Sequence, residues 1–156
     1  MSHDLCDSAF LAWTRLARAH GAALGRVERA LKEAGLPPLA WYDALVELEG
    51  AGAEGLRPFL LERRLDLPQY GLSRLLARLE EAGLIARRGC PRDGRGLIVG
   101  ITEAGRETRS RMTPVYRAAL QETVGCRLSS EEAATLATLL GRLLTCAEEP
   151  APAPAS

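Results

Sequence analysis

Several features that would assign a protein class are missing from this sequence of 156 residues. No apolar run approaches the ~18 residues of a membrane-spanning helix. The apolar stretch near the start, residues 6–16, is broken by Asp7, Thr14 and Arg15, so it does not read as a signal peptide. No nucleophile–base set, phosphate-binding loop or metal triad is present. We therefore expect a cytoplasmic protein that contacts no membrane, is not an enzyme, and uses no metal and no cofactor.

A metal-binding pattern of cysteines is also missing. The four cysteines form no C-x-x-C pair, which disfavours a structural zinc site, and the spacing of His3 and Cys6 is only a weak metal signal. At the helical rise, Cys126 and Cys146 lie roughly 25 Å apart, too far for a disulfide within one subunit. The cysteines therefore predict no covalent framework.

Net charge is absent too, because 20 basic residues balance 20 acidic ones. The charges are nevertheless unevenly placed: residues 56–95 hold nine arginines against five acidic residues, a net +4 that the rest of the chain offsets. Such a localised field attracts a polyanion even when the whole chain is neutral. With 47% hydrophobic and 26% charged residues, the composition and length predict one domain with one core.

Residues 56–101 predict two short amphipathic helices followed by a β-hairpin. In the second helix, Pro68 suits the first helical position and Gly83 suits a left-handed C-terminal cap. Its apolar residues recur three or four apart, at Leu72, Leu75, Leu76 and Leu79. Its polar residues on other faces are Gln69, Tyr70, Ser73, Arg74 and Arg78. This division is the one that a helix entering a DNA major groove requires.

After Gly83 the apolar period changes from that of a helix to that of a strand. Leu97, Val99 and Ile101 alternate with smaller or opposite-facing residues, and a loop rich in Gly and Pro precedes them. The basic residues of this predicted hairpin are Arg87, Arg88, Arg92 and Arg95, against the single acid Asp93. Packing alone does not account for a small, exposed and basic hairpin.

The run LARLEEAGLIARRGCPRDGRGLIVGITEAG resembles the MarR-type winged helix-turn-helix regulators of bacteria. Asp93 and Arg95 fall on that family's wing-tip pair, and Thr102 with Gly105 falls on the motif that enters the next helix. The likeness spans most of the chain, weakening before residue 39 and ending by about residue 147. It implies a mainly α fold with a small β-wing, DNA binding, and N- and C-terminal helices that form an obligate dimer.

On this basis we predict a single MarR-like domain over residues 1–147 and a disordered tail over 148–156. Within it, 5–50 and 102–147 form the helical dimerisation and support region, and 56–101 form the DNA-binding element, joined by a flexible link at 50–55. The helix after Thr102 should be kinked at Pro114. Ser129 and Glu132 form a capping box before a leucine-rich last helix.

The residue types predict distinct DNA contacts. Gln69, Tyr70, Ser73 and Arg74 lie in the first two turns, where Gln pairs well with adenine and Arg with guanine, whereas Arg78 lies lower, toward a phosphate. Arg95 should border the minor groove with its guanidinium held by Asp93, unless that pair only shapes the loop. The generic phosphate candidates are Arg87, Arg88 and Arg92.

The predicted function is a homodimeric repressor of a pseudo-palindromic operator, with double-stranded DNA as its partner. Release could come from a small aromatic effector, for which the candidate pocket residues are Trp13, His20, Trp41 and Tyr42. Alternatively, oxidation of Cys6 could release it, although packing is the more ordinary role for that residue. A different class, a winged domain used only for protein contacts, would lack specific DNA binding.

Overall fold

The architecture is mainly helical, as predicted. A computed structural model describes residues 6–65, 69–90 and 93–148, with the backbone alone at 69–70, 90, 93–95 and 145–148. The elements, in chain order, are α1 (Asp7–Glu33), α2 (Leu39–Gly50), a 3₁₀ helix (Gly52–Glu54), α3 (Pro58–Leu65), α4 (Gln69–Glu81), β1 (Ile85–Cys90), β2 (Asp93–Ile101), α5 (Glu103–Leu120), a π-helical turn (Gln121–Gly125) and α6 (Ser130–Glu148). No helix among the described residues is both long enough and apolar enough to cross a bilayer.

Buried side chains form two clusters, and α2 packs into both. The first, called here the winged core, joins α2, α3, α4 and the hairpin through Ala44, Leu45, Leu48, Leu56, Leu61, Leu72, Leu75, Leu76, Leu79, Leu84, Ile85 and Val99. The second, called here the helical core, joins α1 to α5 through Val27, Leu31, Met112 and Ala119. Leu39 and Tyr42 of α2 pack against the helical core. The chain was predicted to have one core; α2 instead links two.

The end of α4 explains why the recognition helix stops at Gly83. Gly83 has a φ of 73°, which favours glycine. Its amide donates to the Glu80 carbonyl and the Leu84 amide donates to the Leu79 carbonyl, both at 2.9 Å. This Schellman arrangement satisfies the last helical carbonyls and turns the chain into β1. The predicted end is confirmed, whereas the predicted start at Pro68 lies outside the described residues.

Thr102 joins the recognition helix to α5. Its hydroxyl donates to the Gly83 carbonyl at 2.7 Å and accepts from the Gly105 amide at 3.1 Å, which caps α5. Its own amide donates to the Leu84 carbonyl at 3.0 Å. Two of these hydrogen bonds fix the start of α5 against the end of α4 and the third caps α5, which gives the Thr-x-x-Gly motif a physical reason.

The hairpin is anchored at its base by the segment before α3. β1 and β2 pair antiparallel, with Ile85 opposite Ile101 and Arg87 opposite Val99. Leu56 forms an isolated bridge to Val99, with N–H···O distances of 2.9 and 2.8 Å. A Cβ on Gly55 would lie 2.5 Å from the Val99 carbonyl oxygen, so this segment passes very close to the strand. The predicted flexible link at 50–55 was wrong: a 3₁₀ helix and this close contact hold it.

The C-terminal part of the chain is helical, as predicted, whereas the kink at Pro114 stays a prediction. α5 continues through Pro114 and into the π-helical turn, so the helical run extends from Glu103 to Gly125. The capping box is confirmed, since the Ser129 amide donates to Glu132 Oε2 at 2.8 Å and the Glu132 amide donates to Ser129 Oγ at 3.2 Å. The backbone of α6 runs to Glu148, one residue into the predicted tail, and residues 149–156 lie outside the described residues.

Candidate nucleic-acid interface and effector region

The recognition helix α4 separates an apolar face from a polar face, as its sequence predicts. Leu72, Leu75, Leu76 and Leu79 are all buried in the winged core. At about 1.5–3 kcal/mol for each buried leucine, this packing fixes which face of α4 remains outward. The outward residues are Ser73, Arg74 and Arg78, which are exposed. Gln69 and Tyr70 are the first residues of α4, and the structure describes their backbone but not their side chains.

Two arginines of the hairpin make contacts within the chain. Arg87 Nε lies 3.0 Å from Glu80 Oε2, an ion pair between β1 and α4. The Arg88 guanidinium donates to the carbonyls of Ala53 and Glu54, the latter at 2.7 Å. Arg88 therefore anchors the hairpin to the 3₁₀ helix. Its predicted role as a phosphate contact stays a prediction, and the structure gives Arg88 a second role in holding the hairpin in place.

The wing tip is described only in part. Asp93 and Arg95 belong to β2, and their side chains lie outside the description, as does the whole of Arg92. The predicted pairing of Asp93 with Arg95 therefore lies outside the described residues. The register of the pairing between β1 and β2 shifts between Gly89 and Cys90, where the strands approach the tip.

The four predicted effector residues do not share one cluster. Trp13 and His20 are exposed on α1, whereas Trp41 packs against the winged core. Tyr42 packs against the helical core, where its ring meets that of Tyr116 edge to face at 5.1 Å. The Thr113 hydroxyl donates to the Tyr42 hydroxyl at 3.4 Å. Within one subunit, the tryptophans and Tyr42 thus serve different surfaces.

The sequence did not single out a cavity of about 910 Å³ that lies between α1, the π-helical turn and α6. Its walls include the small residues Gly21, Ala22 and Gly25, and Arg26 also borders it. Arg26 Nε donates to Glu122 Oε2 at 3.0 Å, an ion pair that joins α1 to the turn. A second cavity of about 500 Å³ between α1 and α5 shares both residues of that pair. Only the packing of distant segments brings these side chains together.

Ion pairs also join α2 to α5. Arg109 Nε lies 2.7 Å from Glu49 Oε2, and Arg106 Nη1 lies 3.9 Å from Glu49 Oε1. At the other end of α2, the Leu39 amide donates to Glu28 Oε1 of α1 at 3.0 Å. Because Pro38 provides no capping side chain, this carboxylate from another helix performs that role. These contacts hold α2 between the two cores.

Cys6 sits just before α1, and its thiol is exposed. Its Sγ lies 3.2 Å from Ser8 Oγ. The hydrogen bond to Ser8, and after it the backbone amide of Ala9, lower the pKa of the Cys6 thiol. A hydroxyl neighbour, which favours formation of the thiolate, is therefore present, although the sequence alone did not identify it.

A buried leucine stripe, an outward basic face, a glycine-capped helix and an antiparallel hairpin define a winged helix-turn-helix protein. The profile of the MarR family matches residues 34–96, from the end of α1 into the wing. Together, this match and the fold support a MarR-type winged helix-turn-helix regulator. Members of this family are regulators rather than enzymes, in agreement with the prediction from the residues.

Several solved structures have the same fold. Sco3205, a MarR family regulator of Streptomyces coelicolor in complex with DNA, is 27% identical with a TM-score of 0.84, covering 99% of this chain and 96% of that one. CouR of Rhodococcus jostii, bound to p-coumaroyl-CoA, is 26% identical with a TM-score of 0.72, covering 94% and 96%. The MarR family protein Rv2887 of Mycobacterium tuberculosis, in complex with salicylic acid, is 26% identical with a TM-score of 0.64, covering 92% and 99%. A search of curated proteins found no significant match.

Proposed function

We propose that the protein is a homodimeric, cytoplasmic repressor that binds a pseudo-palindromic operator and is released by a small aromatic effector. The observation that carries the proposal is the combination of an outward basic face on α4 with uncovered apolar faces on α1 and α6. The first face suits DNA and the second suits another copy of the chain.

The dimer is supported by large apolar side chains that a single subunit leaves exposed. Leu143 and Leu144 of α6 are 58% and 70% exposed, and Trp13 of α1 is 66% exposed. On α6, the exposed Leu136, Leu139 and Leu143 recur three or four residues apart, and an apolar stripe of this kind marks an interaction site. Burial of each leucine would contribute about 1.5–3 kcal/mol, so a few such residues from each subunit stabilise a dimer.

A charge placed on either face of α6 tests the dimer. Leu143→Glu should shift the protein from dimer to monomer in sedimentation velocity, because a carboxylate would be buried without a partner. Thr138→Glu is the matched control, since Thr138 is exposed on the opposite side of the same helix. If both variants stay dimeric, the leucine face is not the interface.

A two-fold dimer would place two recognition helices in successive major grooves. Half-sites are then separated by one helical turn, about 34–36 Å, and the operator repeats in inverted orientation. An effector that changes the distance or angle between the two DNA-binding elements would prevent both helices from fitting at once. In this proposal, the distance and angle between the two DNA-binding elements therefore determine whether the dimer binds its operator.

DNA binding is tested with an operator selected from genomic DNA by the purified protein. Arg74→Ala should lose about 1–3 kcal/mol on the selected site and little on random DNA, as expected of a base contact. Arg111→Ala, which removes one exposed cation from α5, is the control and should retain affinity. Wild-type affinity should fall steeply with salt, because arginine contacts release counterions. A protein that selects no sequence would instead support the alternative of a winged domain for protein contacts.

The aromatic effector is proposed from Trp13, His20, Trp41 and Tyr42 and from the ligands of two similar regulators, salicylic acid and p-coumaroyl-CoA. Salicylate is a practical probe, with tryptophan fluorescence and DNA release measured in one titration. Salicylate should release the operator, and Trp13→Leu or Tyr42→Phe should change the concentration required. Release that is identical in both variants would place the effector elsewhere.

Oxidation of Cys6 is the second candidate switch, favoured by its exposed thiol and lowered pKa. If it is the sensor, mild peroxide should oxidise Cys6 and release DNA, and Cys6→Ser should remain bound. Cys126→Ser is the matched control, because Cys126 is the other exposed free thiol among the described residues. Identical peroxide responses of wild type and Cys6→Ser would exclude this switch.

A further inference from the structure

We propose that a groove between α3, α4 and β2 holds the sugar–phosphate backbone of bound DNA. This inference rests on the proposed function as a DNA-binding regulator. The groove has a volume of about 310 Å³ and is lined by Phe59, Leu97, Leu72 and Leu76, with Arg57 and Ser73 also at its surface. None of Arg57, Phe59 and Leu97 is among the residues predicted to contact DNA.

The apolar walls of the groove are more open than the core beneath them. Leu72 and Leu76 are buried and form its floor, whereas Phe59 and Leu97 are 53% and 41% exposed. Leu97 lies two residues before Val99 in β2, so both point to the same side of the strand. Val99 is completely buried in the winged core. The inner face of β2 therefore runs from the core outward to an exposed apolar edge beside α4.

The position of the groove indicates what it faces. Ser73 lines the groove and precedes Arg74, which lies on the outward face of the recognition helix. Leu97 belongs to β2, the strand that returns from the wing. When α4 enters a major groove and the wing reaches the adjacent minor groove, one backbone strand passes between them. The surface between α4 and β2 is the part of the protein that meets this strand.

The chemistry of the groove suits that occupant. Deoxyribose presents C–H groups, which pack against Phe59 and Leu97, while phosphates are attracted by Arg57 and by the outward arginines of α4. Glu62 also lines the groove, so its own residues carry one positive and one negative charge. Contacts to sugar and phosphate position a protein on duplex DNA without reading its sequence. The groove would therefore contribute equally to binding of operator and random DNA.

Charge reversal at one wall of the groove tests this inference. We compare Phe59→Glu and Phe59→Lys, with Leu97→Glu as a second site, on the selected operator and on a random duplex across a salt series. Phe59→Glu and Leu97→Glu should weaken binding to both duplexes by about the same factor, on the order of tenfold. Phe59→Lys should strengthen binding to both and steepen the dependence of log affinity on log salt by about 1.

Val46→Glu and Val46→Lys are the matched controls. Val46 is exposed on α2, and its side is turned away from Ala44, Leu45 and Leu48, which face the winged core and α4. Neither control should change affinity or salt dependence. Thermal unfolding and sedimentation of every variant show whether fold and dimer are retained, and Leu97→Glu replaces Phe59→Glu if the latter unfolds.

The outcomes separate the groove from the function on which it rests. Unchanged affinity in all Phe59 and Leu97 variants would overturn the groove while leaving DNA binding intact. Losses confined to the operator would also overturn it, because they indicate contact with base edges. A wild-type protein that binds neither duplex would refute the proposed function itself.

Discussion

Replacing Gly105 with alanine tests the joint between the recognition helix and α5. A Cβ at this position would lie 2.2 Å from the Leu84 carbonyl oxygen and 2.8 Å from Ile101 Cγ1. The Leu84 carbonyl cannot move freely, because it accepts the Thr102 amide at 3.0 Å. The new methyl group must therefore shift backbone, either of β1 or of α5.

The expected magnitude follows from two opposing effects. Overpacking in a filled site costs about 1–3 kcal/mol, and a clash with backbone belongs at the upper end of that range. Alanine in a helix gains about 0.5–1 kcal/mol over glycine, which leaves a net loss of about 2 kcal/mol in the free energy of unfolding. For a chain of this size, that loss lowers Tm by roughly 4–8 °C.

The measurement is thermal unfolding by circular dichroism at a single protein concentration, because the proposed dimerisation would make Tm depend on concentration. Gly50→Ala is the control: Gly50 ends α2, and nothing lies within 4 Å of the Cβ that it would gain. That variant should have an unchanged or slightly raised Tm. Equal Tm values for the two variants would refute the argument that the Leu84 carbonyl excludes a side chain.

Three further substitutions probe contacts of the described residues. Arg88→Met removes the hydrogen bonds to the Ala53 and Glu54 carbonyls and should lower the free energy of unfolding by about 1 kcal/mol. It should also lower the affinity for random DNA as well as for operator DNA. Unchanged stability would show that the fold does not need these hydrogen bonds. Burial, and after it the carboxylates of neighbouring acidic residues, raise the pKa of Asp43, so the folded state favours its protonated form and loses stability as pH rises from the unfolded pKa through the folded one. Asp43→Asn should therefore stabilise the protein at pH 7 and not at pH 3, and a pH-independent difference in urea unfolding would contradict this. Glu132→Ala removes half of the capping box and should cost about 1 kcal/mol in thermal unfolding, whereas no change would mean that α6 begins without it.

Features that depend on neighbouring residues could be predicted from the sequence. The leucine stripe of α4, its stop at Gly83 and the capping box at Ser129 each involve residues within a few positions of one another. Helical and strand periods, caps and glycine conformations are local properties, so they can be read without coordinates. The family motif added the order in which these elements occur.

The candidate site could be predicted only in part. Outward exposure of Ser73, Arg74 and Arg78 follows directly from the stripe on the opposite face. The contacts of Arg88 with residues 34 and 35 positions earlier could not be predicted, because its type and exposure resemble those of any phosphate-binding arginine. The proposed role of Phe59 could not be predicted for a related reason: one apolar residue in a short helix does not indicate which groove of the folded protein it lines.

By itself, then, the sequence determined the elements and the faces that they present, since a few adjacent residues suffice to set helix period, cap and turn. Only the tertiary structure decided which charges are engaged within the chain and which apolar residues are left exposed. Glu28 caps α2, Arg26 pairs with Glu122, and Leu143 remains uncovered because segments far apart in the chain do or do not meet. Such distances depend on the packing of both cores together, and no local pattern of residues specifies them.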